Sequence, residues 1–287
     1  YLTGNVPIMG EICAWTESSA VVYANSILGA RTTRHGTESA IAASILGLVP
    51  EFGVLLDENR RGTLRVEVTA DLTCPSDWGA LGYVAGAAAG LGIPVFHGAP
   101  RPSQDDAKQL CAALATGGGV TMCHIAGFTP EAPTLEAAFH GDVPETALRF
   151  TNETLRSAYL SLRNHTADDI DTVILGCPHA SINEIGIISA ALRGKRVAEG
   201  VKLWVNAARA TKAQADFMGL TAVIEAAGGR ILTDTCPTNM RMPARRIVTH
   251  GFKQAHYSRG MIGAEVIVAR TDACIRAAIE GRWMGDE

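Results

Sequence analysis

The sequence lacks the short motifs by which several common enzyme classes are identified. It contains no G-x-x-x-x-G-K-[ST] loop, no G-x-G-x-x-G fingerprint, no H-E-x-x-H and no G-x-S-x-G. Those motifs supply the phosphate cradle of nucleotide triphosphatases, the dinucleotide site, the zinc ligands of metalloproteases and the serine of α/β-hydrolases. None of these chemistries therefore has the support of a local motif.

An excess of positive charge and a long hydrophobic run are also lacking. Lysine and arginine total 25 against 29 aspartate and glutamate residues, a net charge of −4, which gives no overall attraction for nucleic acid or anionic lipid. The longest uncharged stretch, 78–96, is broken by glycines and Pro94, and the first residues do not form a signal peptide. We expect a soluble protein whose partners include neither a nucleic acid nor a membrane.

Disulfide and zinc-knuckle patterns are missing as well. The seven cysteines are an odd number, are widely scattered and include no C-x-x-C pair. A chain of 287 residues, 47% of them hydrophobic, can bury one large core or two modest ones without disulfide staples. The cysteine pattern therefore predicts a reducing, cytoplasmic location, with thiols that are either free or bound to metal.

What the sequence does contain is a regular alternation of strand and helix patterns. Strands are predicted at 63–70, 93–98, 120–127, 171–176, 201–207, 230–235, 245–250 and 264–269. Helices are predicted at 17–30, 103–116 and 152–164. A further helix is predicted directly after the strand at 63–70, and others begin at Ser181, Thr211 and Ala273. This order predicts an α/β fold with parallel sheets covered on both faces, a three-layer architecture, in two domains at 1–150 and 151–287.

Two cysteines follow predicted strands in the same local context. Cys177 ends one strand as G-C-P-H, and Cys236 ends another as T-C-P-T. Ligands of open α/β sheets bind outside the carboxyl ends of strands, so both thiols are predicted to lie on the functional side. An iron–sulfur cluster is one use for such thiols, and small buried packing residues are the alternative. Cys74, which precedes Pro75, is a weaker third candidate.

A second candidate group lies in the stretch 10–32. It includes the polar residues Glu17, Ser18, Ser19, Asn25, Ser26, Arg31 and Thr32 among small apolar ones. The arginine follows Gly29 and can offer a bidentate fork to a carboxylate or phosphate. The alternative is a helix capped near Thr16 or Ser18, in which neighbouring helices satisfy the asparagine.

A third candidate group, T-H-G-F-K-Q-A-H-Y at 249–257, follows the strand at 245–250. Its Lys253 and His256 are predicted to supply an anion contact and a proton-transfer group. A solvated loop is the alternative. The basic run at 241–246 is either an anion-facing rim or a plain surface patch, and we favour the patch.

At these residues the sequence resembles the aconitase X family, a branch of the aconitase superfamily. The resemblance extends over the whole chain and rests on several motifs in order: AWTESSAVVYANSILGART (14–32), PEFGVLLDENR (50–60), HIAGFTPEAP (124–133), LGCPHAS (175–181), TDTCPTNM (233–240) and FKQAHY (252–257). It implies aconitase-type domains. It also implies that the chain is a fragment without the family's N-terminal part and its small swivelling domain, which occurs fused or as a separate subunit.

The resemblance also implies an iron–sulfur cluster held by Cys177, Cys236 and a third cysteine upstream of Tyr1, in a Thr-Cys-Ala-Pro segment of the family. His179 is then either a partner of the cluster or a helix-start residue. We assign catalytic roles to Ser18, Ser19, Lys253 and His256, and substrate binding to Glu17, Asn25, Arg31 and Thr32.

The activity that the resemblance implies is a hydro-lyase acting on a small hydroxy acid. Because no further basic cluster stands out as a phosphate pocket, we favour dehydration of cis-3-hydroxy-L-proline to Δ1-pyrroline-2-carboxylate. Dehydration of mevalonate 5-phosphate is the alternative within the family. A non-catalytic α/β binding module that has lost its cluster is the alternative of another class.

Overall fold

The fold is that of a computed structural model, which describes residues 1–145, 147–165, 167–239 and 244–285. The chain divides into two compact units, Tyr1–Ala158 and Tyr159–Glu287. Over the described residues, each unit contains one sheet, and its strands are parallel. The expectation of parallel-sheet α/β architecture is therefore confirmed for both units, and the domain boundary near residue 150 stays a prediction.

The first unit is built on a four-stranded sheet in the order β3-β2-β1-β4. Its elements are α1 (Ser18–Ser26), α2 (Thr37–Leu46), β1 (Leu64–Val68), α3 (Pro75–Ala89), β2 (Pro94–His97), α4 (Gln104–Gly117), β3 (His124–Ile125), α5 (Leu135–Ala138), β4 (Ala147–Phe150) and α6 (Asn152–Leu162), which extends into the second unit. Two short 3-10 turns, Gly53–Leu55 and Asp57–Arg60, precede β1.

Helices α3 and α4 pack against each other through small residues. A side chain at Gly82 would place its Cβ 2.4 Å from the Leu110 carbonyl oxygen, so only glycine allows this approach. Helix α4 begins at a capping box, because Ser103 accepts from the Asp106 amide and Asp106 accepts from the Ser103 amide. The sequence predicted this helix start correctly.

Helices α1 and α2 differ sharply in burial. Every residue of α1 after Ser18 is buried, and the helix packs against α4. Helix α2 buries none of its residues and leaves Ile41, Ile45 and Leu46 exposed. The first unit therefore encloses one apolar helix and presents another on its surface.

The second unit is built on a five-stranded sheet in the order β7-β6-β5-β8-β9. Its elements after α6 are β5 (Thr172–Leu175), α7 (Ile182–Leu192), β6 (Lys202–Ala207), α8 (Arg209–Phe217), α9 (Leu220–Ala226), β7 (Arg230–Thr233), β8 (Arg246–Thr249), α10 (Phe252–Tyr257), a π-helical turn (Ser258–Ile262), β9 (Glu265–Val268) and α11 (Thr271–Glu280). Strand β5 is central and fully buried. The strands are parallel, so their carboxyl ends meet at one edge of the sheet.

Several element predictions were wrong in detail. The strand predicted at 120–127 pairs only at β3, and the helix predicted at 17–30 ends at Ser26. The helix predicted from Thr211 to Gly228 begins at Arg209 and is two helices, α8 and α9, because Gly219 adopts a left-handed conformation with φ of 73°. Lys253 and His256 lie on helix α10 and not in the solvated loop that was the alternative, and α2 and β4 were not predicted.

Within the described residues, none of the helices is both long enough and apolar enough to cross a membrane.

Candidate functional site

The loop after β5, which carries Cys177, is fixed on both sides by Asn206 at the end of β6. The Asn206 side-chain amide donates to the Leu175 carbonyl at 3.1 Å, and the Ala180 amide donates to the Asn206 carbonyl at 2.8 Å. Gly176 has a φ of 81°, and a Cβ there would lie 2.1 Å from the Asn206 carbonyl oxygen. The loop therefore requires glycine directly before the cysteine.

His250, at the end of β8, holds the same loop from the other neighbouring strand. The Gly176 amide donates to His250 Nε2 at 3.0 Å. Because Nε2 accepts here, the proton of the neutral ring lies on Nδ1, which donates to Thr271 Oγ1 at 3.1 Å. The histidine is 2% exposed. Its fixed tautomer makes it part of the framework that aims the Cys177 loop.

The loop after β7, which carries Cys236, is held by Asp234. This aspartate has a left-handed φ of 50°, and its carboxylate binds both the Arg209 amide and the Arg209 guanidinium at 2.9 Å. Beyond it, Cys236 Sγ lies 2.9 Å from Thr238 Oγ1. Cys236 is exposed, Cys177 is half-buried, and neither is in a disulfide.

A hydrogen bond joins the two cysteine loops. His179 Nε2 lies 2.9 Å from the carbonyl oxygen of Thr235, which directly precedes Cys236. The acceptor is a carbonyl, so Nε2 carries the donated proton. The ends of β5 and β7 are thus connected across β6 at the edge where the sequence predicted both thiols to lie.

Thiolates are the usual protein ligands of iron–sulfur clusters, so Cys177 and Cys236 are suitable donors. Among the residues that the structure describes, no group of three or more His, Cys, Asp or Glu side chains is arranged to hold a metal ion. The two loops fit as part of a ligand set and do not by themselves complete one.

Helix α10 begins directly after β8, at the same edge of the sheet. Lys253 and His256 are three positions apart on it and therefore share a face. Burial, and to a smaller degree the charge of Arg259, lower the pKa of His256 below its usual 6.5. The shift favours the neutral imidazole, which is the form that can accept a proton.

In the first unit, Glu17 caps α1. Its Oε1 accepts from the Ser19 amide at 3.2 Å, from Ser19 Oγ at 3.0 Å and from Ser18 Oγ at 3.5 Å. Ser19 is 2% exposed, whereas Ser18 is half-buried. The structure thus brings these three predicted residues together, with Ser18 the more accessible hydroxyl.

Asn25 and Thr32 are bound to each other inside the first unit. The Asn25 amide donates to the Thr32 carbonyl at 2.8 Å and to the Thr121 carbonyl at 3.0 Å, and its Oδ1 accepts from the Thr32 amide at 2.9 Å. Both residues are at most 1% exposed. These partners lie in non-helical segments rather than in neighbouring helices, and substrate binding by Asn25 and Thr32 stays a prediction.

Arg60 is a buried residue of this region that the sequence did not predict. Its guanidinium binds both Glu131 carboxylate oxygens, with Nε at 3.0 and 2.7 Å, and donates to the Val54 carbonyl at 2.7 Å. It also donates to the Asn25 carbonyl at 3.0 Å. The arginine and the glutamate belong to separate conspicuous motifs, 50–60 and 124–133, but only the fold shows that they meet.

Arg31 lies nearer the surface. It donates to the Leu55 carbonyl at 3.0 Å and pairs with Asp57 at 2.5 Å, with its side chain 20% exposed. A guanidinium has five N–H donors, so these two contacts leave donors for a ligand.

The basic run at 241–246 lies partly outside the described residues, which resume at residue 244. Its last member, Arg246, begins β8 and pairs with Asp169 and Asp171. Arg246 therefore lies at the amino-terminal edge of the sheet, opposite the cysteine loops, and its charge is used in ion pairs.

The fold and the paired Cys-Pro loops define an aconitase-type α/β protein. Three family models match the chain in order: the aconitase X first domain at 1–58, the second domain at 62–160 and the third domain at 170–280. The chain belongs to the aconitase X family.

Relatives named as two different dehydratases are similar to this chain. The phosphomevalonate dehydratase large subunit of Methanothermobacter thermautotrophicus is 44% identical over 270 residues, which are 93% of this chain and 66% of that protein. The cis-3-hydroxy-L-proline dehydratase of Pseudomonas aeruginosa is 38% identical over 291 residues, 98% of this chain and 50% of that protein. The chain thus spans about half to two thirds of the length of these curated relatives.

A solved structure has the same fold. The holo-form crystal structure of aconitase X from Thermococcus kodakaraensis matches with a TM-score of 0.86 and 36% identity, over 97% of this chain and 71% of that one.

Proposed function

We propose that this protein forms the larger part of an iron–sulfur-dependent hydro-lyase that dehydrates a small hydroxy acid. The observation that carries the proposal is the pair of Cys-Pro loops after β5 and β7, joined by the bond from His179 to the Thr235 carbonyl. The relatives named dehydratases support the reaction class, because dehydratases are hydro-lyases. Proteins of the aconitase type generally bind an iron–sulfur cluster, which supports the cofactor.

Cys177 and Cys236 would hold the cluster, together with a third cysteine that the family resemblance places upstream of Tyr1. A bound cluster with an open iron site supplies a Lewis acid for the substrate oxygens. The chain's own contribution is the direction of the two thiols, which Asn206, His250 and His179 fix through their bonds to the loops. A non-catalytic module would not need this arrangement.

Proton transfer is assigned to helix α10 and to the start of α1. The lowered pKa of His256 favours the neutral imidazole, which is the form that can accept the proton from the carbon next to the substrate carboxylate. Lys253, on the same face of α10, would bind an anionic group of the substrate. Ser18 and Ser19 both donate to Glu17, and Ser18 has the better-exposed hydroxyl. Ser19 orients the glutamate.

The favoured substrate is cis-3-hydroxy-L-proline. Arg31 is assigned to its carboxylate, and the charge of Arg31 is already offset in part by Asp57. A partly neutralised guanidinium suits a single carboxylate better than a doubly charged phosphate. Mevalonate 5-phosphate is the second candidate, because the relative with 44% identity carries the name of that dehydratase.

A second subunit or domain is proposed as the protein partner. Relatives from archaea are named large subunits, which implies a smaller one. Ile41, Ile45 and Leu46 of α2 and, near the start of the chain, Ile8 and Ile12 are exposed apolar side chains of the kind that interfaces cover.

An anaerobic dehydration assay tests the proposal. The full-length protein with its small subunit or domain is supplied with iron and sulfide and is offered cis-3-hydroxy-L-proline and mevalonate 5-phosphate in parallel. We expect formation of Δ1-pyrroline-2-carboxylate, lost in His256→Gln. Turnover of the phosphate ester alone would transfer the assignment to the second candidate. A folded protein that takes up no cluster would contradict the enzyme and favour the binding module.

A further inference from the structure

His179 follows Cys177 by two residues and makes a hydrogen bond to the loop that carries Cys236. In the sheet order, β6 separates β5 from β7, so no strand pairing connects the loops that carry Cys177 and Cys236. Neighbouring strands lie about 4.8 Å apart, which places the ends of β5 and β7 roughly 10 Å from each other. If the thiols of Cys177 and Cys236 bind one cluster, the two loops must approach each other above the end of β6.

The bond from His179 to Thr235 spans this gap. The histidine is two residues after Cys177, and the accepting carbonyl belongs to the residue before Cys236. The backbone at His179 is itself held, because the next residue, Ala180, donates to the Asn206 carbonyl at 2.8 Å. A rigid ring on a fixed backbone therefore fixes the position of the second loop.

A role for His179 as a helix-start residue is not needed. Helix α7 has a complete capping box, in which Ser181 Oγ accepts from the Glu184 amide at 3.1 Å and Glu184 accepts from the Ser181 amide at 2.9 Å. The capping box thus pairs the Ser181 and Glu184 amides without the imidazole.

We propose that His179 is a positioning residue, whose hydrogen bond to the Thr235 carbonyl holds the Cys177 and Cys236 loops at the separation that a shared iron–sulfur cluster requires. This inference rests on the proposed function. Outer partners that orient metal ligands commonly change metal affinity by about 10- to 100-fold when they are removed. His179 would act in the same way as such an outer partner, but it orients the backbone of a ligand-bearing loop rather than a ligand side chain.

The test compares His179→Ala with His179→Gln in the full-length protein with its small subunit or domain. The glutamine keeps an N–H donor at similar reach. The control is His165→Ala, which removes an imidazole bond of 2.7 Å to the Asp169 carbonyl at the amino-terminal edge of the same sheet. Two quantities are measured: hydrogen exchange of residues 234–239 in the cluster-free protein, and the iron affinity and visible absorption after reconstitution.

We expect faster exchange at 234–239 and iron affinity lower by about 10- to 100-fold in His179→Ala, both restored in His179→Gln and both unchanged in His165→Ala. Unchanged exchange in His179→Ala would show that the bond does not hold the loop and would overturn the inference. Faster exchange together with wild-type iron affinity would show that the bond holds the loop but does not matter for cluster binding. That result would also overturn the inference. A wild-type protein that binds no cluster would contradict the proposed function itself, which separates the two failures.

Discussion

His124 is an imidazole that the first unit encloses almost completely, with 2% of its surface exposed. Its Nε2 donates to the Arg60 carbonyl at 2.7 Å, and its Nδ1 has no hydrogen-bond partner among the described residues. Burial lowers the pKa of this histidine below its usual 6.5. The folded protein therefore holds the neutral ring at pH values where the unfolded chain already binds a proton.

This difference in pKa makes stability depend on pH in a defined direction. The contribution of His124 to the free energy of unfolding is fully present above about pH 6.5 and is lost as the pH falls, because the unfolded state then binds more protons. We expect the urea concentration at the midpoint of unfolding to be lower at pH 5.5 than at pH 7.5. The decrease should be smaller in His124→Gln, which keeps an N–H donor but does not titrate. An equal fall in both proteins would show that His124 does not titrate differently on folding.

The loop between β5 and α7 gives the sharpest prediction for a structural element. Gly176→Ala places a Cβ against the Asn206 carbonyl at a residue with φ of 81°, so we expect a loss of about 2 kcal/mol or more in unfolding free energy. Gly186→Ala in α7 is the matched control. A Cβ there meets nothing within 4 Å, so we expect a gain of roughly 0.5–1 kcal/mol. Chemical unfolding measures both, and a tolerated Gly176→Ala would contradict the described loop.

How far the elements could be predicted depends on whether their determinants are local. The strands β5 to β9 are short apolar runs, and α4 and α7 begin at capping boxes, so the sequence predicted all of them. The run at 120–127 is apolar because Val120, Met122 and Cys123 pack in the interior, although only His124 and Ile125 pair with β2. Apolar character alone could not separate a strand from a buried loop.

The candidate site was predictable to a similar extent. Local context identified Cys177 and Cys236, since each is followed by proline after an apolar strand. The residues that hold the loops were not predicted, because Asn206 and His250 reach the Cys177 loop only through the order of β6, β5 and β8 in the sheet. A sequence without that order does not show which strand ends are neighbours.

At the scale of the whole molecule, the candidate residues divide between the two compact units. Glu17, Ser18 and Arg31 belong to the unit that ends at Ala158, and the two cysteine loops and α10 belong to the unit that follows. Family models match both units, so the framework of an aconitase X protein is present over the length of the chain. The proposed activity depends most on whether the thiols of the second unit bind a cluster.

The most direct measurement is the iron and sulfide content and the visible absorption of the full-length protein, with its small subunit or domain, after anaerobic reconstitution. We predict a cluster in the wild-type protein, its loss in Cys177→Ser and in Cys236→Ser, and its retention in Cys74→Ser. The last variant is the matched control, because Cys74 also precedes a proline but lies in the first unit, before α3. A folded wild-type protein without iron, or cysteine variants that keep the wild-type cluster, would contradict the account.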